Sequence, residues 1–218
     1  RYASGEVYEG NWKLGKRSGP DGLLSSLKNY KYTGDWENDV MHGKGFETLP
    51  CGSSVDANFN DGVPEGVGVL LYKGPHKLPE TVEVYRYEGE FHQGHRHGKG
   101  TIFYENGDTY TGVWDFGRRH GKGELKETAG TYAGDFREGR IEGTGTYKFA
   151  DGAKYEGTFR DEEYHGKGTF TSVNGEVYDG EWVSGNQQGK GKLTSNDGHT
   201  YDGDWVDDKK TGKGEYEA

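Results

Sequence analysis

The sequence has one cysteine, Cys51, among 218 residues, so an internal disulfide is excluded and several thiolates cannot share a metal. A reducing compartment such as the cytosol fits that usage best. Basic charge is also short: 27 Lys and Arg stand against 37 Asp and Glu, a formal charge of −10. Such a chain lacks the cationic footprint that neutralises nucleic-acid phosphates, which excludes a nucleic-acid partner. No apolar run approaches the roughly 20 residues of a membrane-spanning helix, and no signal-peptide pattern opens the sequence. The only methionine is Met41, from which we expect Arg1 to begin a piece of a longer protein.

Large apolar residues are scarce as well. Leu, Ile, Val and Phe together number 34 of 218, below the level of about one fifth that, with high charge, normally marks disorder. The chain instead carries 16 Tyr, 5 Trp and 40 Gly, an excess that calls for a structural reason.

That reason is a repeat. Aligned on tyrosine, the chain reads YEGNW at Tyr8, YTGDW at Tyr32, YEGEF at Tyr87, YTGVW at Tyr110, YAGDF at Tyr132, YEGTF at Tyr155, YDGEW at Tyr178 and YDGDW at Tyr201, with a degenerate VDANF from Val55. Successive starts are 24, 23, 32, 23, 22, 23, 23 and 23 residues apart, which makes nine copies and one insertion, at about residues 73–84. With the first residue of each copy numbered zero, all five tryptophans fall at position four. Position eleven opens a Gly-x-Gly pair, as in Gly98 and Gly100 or Gly121 and Gly123. Y-x-G-x-W/F followed by H-G-x-G at this step resembles the MORN (membrane occupation and recognition nexus) repeat family.

Alternate residues of a strand share a face, so the tyrosine, glycine and tryptophan at positions zero, two and four point one way. Positions one and three point the other, and 11 of those 18 residues are acidic. Position seven is glycine in six copies, Asp39, Asp208 or Glu162 in others, types mostly suited to a left-handed turn. The second strand is expected to begin near the Gly-x-Gly. NGD, DGA, NGE and DGH at Asn106, Asp151, Asn174 and Asp197 then supply a second turn before the next tyrosine. The expected fold is all-β: an elongated, twisted, single-layer antiparallel sheet of about nine stacked β-hairpin repeats over residues 1–218. Its strands, about 4.8 Å apart, would span roughly 80 to 90 Å.

The chemistry of the glycine-rich stretches is weak. Gly94–Thr101 reads GHRHGKGT, which lacks the spacing and following helix of a phosphate-binding loop. His92, His95 and His97 read as solvated loop histidines rather than metal ligands, since no carboxylate or cysteine stands at fixed spacing. His42, His97, His120 and His165 recur at position ten, where other copies carry Ser18, Glu65, Glu142, Gln188 or Thr211, so they read as polar turn residues. No nucleophile with its base, cofactor motif or metal set emerges, and an enzyme is not expected.

Two surfaces remain. Glycine between two rings suggests troughs along the aromatic face, giving a candidate groove for an apolar or amphipathic partner segment. It would be lined by Tyr87 and Phe91, Tyr110 and Trp114, Tyr132 and Phe136, Tyr155 and Phe159, Tyr178 and Trp182, and Tyr201 and Trp205. Position twelve gives a column of Lys44, Lys99, Lys122, Lys167, Lys190 and Lys213, a candidate for acidic phospholipid. Spaced about 10 Å apart, near one Debye length, these charges act almost independently. The resemblance implies a non-catalytic, protein-binding scaffold in the cytoplasm, associated with the cytoskeleton, a cilium or a flagellum. It equally implies membrane attachment through acidic phospholipid, or regulation of an enzyme outside this segment. Open strand edges would also permit a homodimer.

Overall fold

The computed structural model describes residues 2–73 and 84–217, without the side chain of Lys213. The expected insertion, with Pro75 and Pro79, lies outside the described residues except at its margins. The chain forms two compact units, Arg1–Arg118 and Arg119–Ala218.

In the first unit the strands are β1 (Val7–Glu9), β2 (Trp12–Lys13), β3 (Lys16–Arg17), β4 (Gly19–Ser25), β5 (Lys31–Glu37), β6 (Val40–Thr48), β7 (Ser54–Asn60), β8 (Val63–Leu71), β9 (Val84–His92), β10 (His95–Tyr104) and β11 (Thr109–Asp115). β1 pairs with β4, and from β4 to β11 each strand pairs antiparallel with the next. β2 and β3 form a separate small hairpin. In the second unit β12 (Arg118–Glu127), β13 (Gly130–Arg137), β14 (Arg140–Phe149), β15 (Lys154–Arg160), β16 (Glu163–Thr171), β17 (Val177–Val183), β18 (Asn186–Thr194), β19 (Thr200–Val206) and β20 (Lys209–Glu217) run as one antiparallel meander. The described residues contain no helix. The all-β hairpin architecture expected from the repeat is what forms.

Each repeat turns in two residues. Arg137 and Arg140 pair across Glu138 and Gly139, whose φ angles are +51° and +89°. Two consecutive positive values make a type I′ turn, the one whose twist matches the flanking strands. Position seven was expected to be left-handed; position six is too, in Asn38, Asp61, Phe116, Asp161 and the other copies. The turns also interlock. The Gly117 N–H donates to the Arg96 carbonyl at 2.8 Å, Gly139 to Arg119 at 2.9 Å and Gly185 to Tyr164 at 3.0 Å. Each bond ties a turn to the repeat before it.

The second strand begins earlier than the glycine pair suggests, at Arg140 rather than Gly143. Gly143, with φ +102°, lies inside the strand. There Gly134 pairs with Gly145 but Phe136 with Ile141, so residues 142–144 stand opposite Asp135 alone. The first glycine therefore makes a β-bulge, which needs a residue free to take positive φ.

Between repeats, the Gly107 N–H donates to the Tyr104 carbonyl and the Tyr104 N–H to the Asp108 carbonyl, both at 3.0 Å. The Asn-Gly type of turn thus falls where the sequence places it.

Candidate interaction surface

The aromatic residues at positions zero and four form the interior of each unit. Tyr32, Tyr87, Tyr110, Tyr132 and Tyr155 are fully buried, and Trp36, Trp114, Trp182 and Trp205 are at most 5 % exposed. Within a repeat the two rings meet edge to face, as in Tyr178 and Trp182 at 5.1 Å. The same tyrosine meets the next repeat's ring: Tyr32 touches Phe59 at 5.2 Å, Tyr87 Trp114 at 5.6 Å, and Tyr178 Trp205 at 5.0 Å. Edge-to-face pairs add about 0.5–1.5 kcal/mol each beyond buried area, so such ladders stand in for an aliphatic core. Trp12, in the isolated β2–β3 hairpin, is the exception at 52 % exposed.

The polar tips of these rings are used as well. The tyrosine hydroxyl donates to its own repeat's position-three carbonyl at 2.8–3.1 Å, from Tyr8 to Asn11 and from Tyr87 to Glu90, for example. Trp114 Nε1 donates to the Gly100 carbonyl at 3.1 Å and Trp182 Nε1 to that of Gly168 at 2.9 Å. Burial pushes the Tyr155, Tyr164 and Tyr178 hydroxyls up to about 12 and those of Tyr32, Tyr87 and Tyr132 higher still.

This packing corrects the expected groove. Its twelve rings, from Tyr87 and Phe91 to Tyr201 and Trp205, are 0–5 % exposed and offer a partner almost no surface. The trough that glycine would leave is filled by the tyrosine itself. A Cβ on Gly134, or on the paired Gly145, would strike the Tyr132 ring or hydroxyl. Position nine covers the rings from the second strand: the Arg17 guanidinium lies 4.1 Å from the Trp36 ring and that of Arg96 4.3 Å from Trp114, while Tyr164 stacks on Tyr155 at 3.8 Å.

Outside lie the varied residues. The position-twelve side chains of Lys44, Lys99, Lys122, Lys167 and Lys190 are exposed, and the Lys213 side chain lies outside the described residues. In register, each lysine faces position three of the next repeat: Lys122 faces Asp135, Lys190 Asp204, Lys167 Glu181, Lys99 Val113 and Lys44 Asn58. Lys122 and Lys190 form ion pairs there at 2.7 and 2.8 Å. The acids hold the bulge too: Asp135 accepts from the Thr144 N–H at 2.9 Å and Glu90 from that of Lys99, also at 2.9 Å. Burial raises Asp135, but Lys122 and the Thr144 donors outweigh it and hold the carboxyl below the usual range.

The histidines are strand residues rather than loop residues. His92 ends β9 and His95 opens β10, with the His92 and His97 rings 5.4 Å apart. Glu65 and Asp115 reach them from neighbouring repeats, at 2.9 Å from His92 and 3.6 Å from His97. Among the described residues, no three His, Cys, Asp or Glu side chains gather as a metal site. Position ten is a clamp on the next turn: Glu65 accepts from the Gln93 N–H at 2.9 Å, Glu142 from Asp161 at 3.2 Å and Gln188 from Asp207 at 3.0 Å. The reading of position ten as a polar turn residue anticipated a bond at a turn, but not that the turn belongs to the next repeat.

Comparison with known families finds the MORN repeat at residues 8–20, 32–54, 56–74, 87–109, 110–126, 132–154, 155–177, 178–200 and 201–217. No curated protein matches the chain.

Proposed function

The chain belongs to the MORN repeat family, whose arrays are non-catalytic modules that engage proteins or membranes, and from that premise we propose that it is a non-catalytic scaffold for partner proteins. The observation carrying this reading is the division of labour within each repeat. Tyrosine, glycine and tryptophan are spent on the interior, while position five is exposed in eight of nine copies and carries seven residue types, and position twelve presents exposed lysine in five. A partner segment is read by those exposed side chains rather than by the rings. On this reading the assembly belongs in the cytoplasm, at a cytoskeletal structure such as a cilium or flagellum.

Proximity labelling of the full-length protein in its own cells tests this. Enrichment of cytoskeletal or ciliary proteins is the expected outcome; enrichment of membrane proteins alone rejects it. The exposed lysines favour a second reading, attachment to acidic phospholipid. It predicts vesicle binding that weakens steeply with salt and on Lys99→Glu or Lys167→Glu. Self-association would appear in light scattering as twice the monomer mass.

A further inference from the structure

One exposed depression departs from the repeat's general pattern. It lies in the second unit, has a volume of about 560 Å³, and is lined in part by Gly121, Gly143 and Thr158 together with Phe136 and Phe159, which are only 2 % and 3 % exposed. Its walls carry Arg137, Arg160, His120 and His165 together with Asp135 and Glu142. Both acids are already committed: Asp135 to Lys122 and to the Thr144 N–H and hydroxyl, Glu142 to the Asp161 N–H. Among the described residues, the side chains of Arg137, Arg160, His120 and His165 make no ion pair or hydrogen bond. The uncommitted groups of this site are therefore cations and imidazoles.

The positive-φ glycine recurs in every repeat, but the basic walls do not. Position five is arginine only at Arg137 and Arg160; elsewhere it is Lys13, Glu37, Asn60, His92, Asp115, Val183 or Val206. The folding unit does not require arginine there.

We propose that this depression binds a short extended segment of a partner protein bearing aspartate or glutamate at alternate residues. The inference rests on the scaffold reading and names the chemistry of one of its contacts. Arg137 and Arg160 lie one repeat apart, about 10 Å along the stack, and alternate residues of an extended segment set carboxylates about 7 Å apart on one face. Two long arginine side chains span that difference, and each guanidinium takes a carboxylate through paired N–H donors. A flat anionic bilayer fits less well. It would also meet exposed Glu138, Glu162 and Glu163 at the adjoining turns, which a narrow segment avoids.

The test is fluorescence anisotropy with the whole chain and a labelled peptide of alternating Glu and Thr, against the same peptide with Gln for Glu. The Glu peptide should bind and weaken with salt, and Arg137→Gln with Arg160→Gln should reduce affinity at least about tenfold. Lys99→Gln, in the other unit, should leave it unchanged. Thr158→Glu, which places a carboxylate in the depression, should reduce it independently. Circular dichroism of each variant should match the parent chain. Equal binding of the Gln peptide, or an unchanged affinity in both groove variants, overturns the proposal. So does displacement of the peptide by phosphatidylserine vesicles that themselves need Arg137 and Arg160. A chain that ignores the peptide yet still labels cytoskeletal neighbours loses this inference alone and keeps the scaffold reading.

Discussion

The hydroxyl of Tyr132 donates to the carbonyl oxygen of Asp135, 3.0 Å away, and to reach it the ring lies across Gly134. One side chain thus fills the space left by a glycine and satisfies a backbone acceptor on its own strand. Tyr132→Phe keeps the ring and loses the bond, which should cost about 1–3 kcal/mol because the acceptor is left partly buried. Gly134→Ala should cost about the same or more, since the added methyl drives into the ring and the neighbouring strand. Urea denaturation of the two variants checks both values.

The indole of Trp182 reaches the Gly168 carbonyl at 2.9 Å, a bond that phenylalanine cannot make. Phe136 and Phe159 fill the same slot elsewhere, so Trp182→Phe should fold. Its expected cost is about 1–3 kcal/mol, against about 3–5 kcal/mol for Trp182→Ala. A thermal melt that ranks the two the other way would contradict the ladder.

Glu162 holds φ at +72° in the turn where six copies use glycine. A left-handed conformation costs a non-glycine residue about 1–2 kcal/mol, partly offset by the extra freedom glycine gives the unfolded chain. Glu162→Gly should therefore stabilise the protein by up to about 1 kcal/mol, read as a raised melting temperature.

Alkali should loosen the array through its buried phenols. Tyr155, Tyr164 and Tyr178 ionise near 12 in the fold and near 10 when unfolded. The folded chain thus holds these protons more tightly, and stability is flat below pH 10 and falls between about 10 and 12. Titration followed by tyrosinate absorbance should show unfolding and ionisation together in that window.

Much of the fold was legible because each repeat spends the same residues on the same tasks. Period, strand faces and turn glycines follow from side-chain alternation and from φ > 0, which are local properties. The left-handed position six was partly visible in Asn38, Asp61, Asp161 and Asp207, but Phe116 and Leu14 hide it. The start of the second strand was misjudged because a Gly-x-Gly reads equally as a strand entry or as a bulge. The family match then agrees with the periodicity, its segments starting within one residue of the tyrosine-aligned copies.

The sequence alone determined the repeat, its hairpin and its two chemically distinct faces, because period-two alternation and turn chemistry act over a few residues. Only the tertiary structure decided what covers the aromatic face. Glycines that read as an open trough are overlain by Tyr132 and its equivalents, and Arg17 and Arg96 cover the Trp36 and Trp114 rings from the preceding repeat. It likewise decided that Asp135 and Glu142 are committed while Arg137 and Arg160 remain free. Those partners come from neighbouring strands and repeats, and distance along the chain does not reveal distance in space.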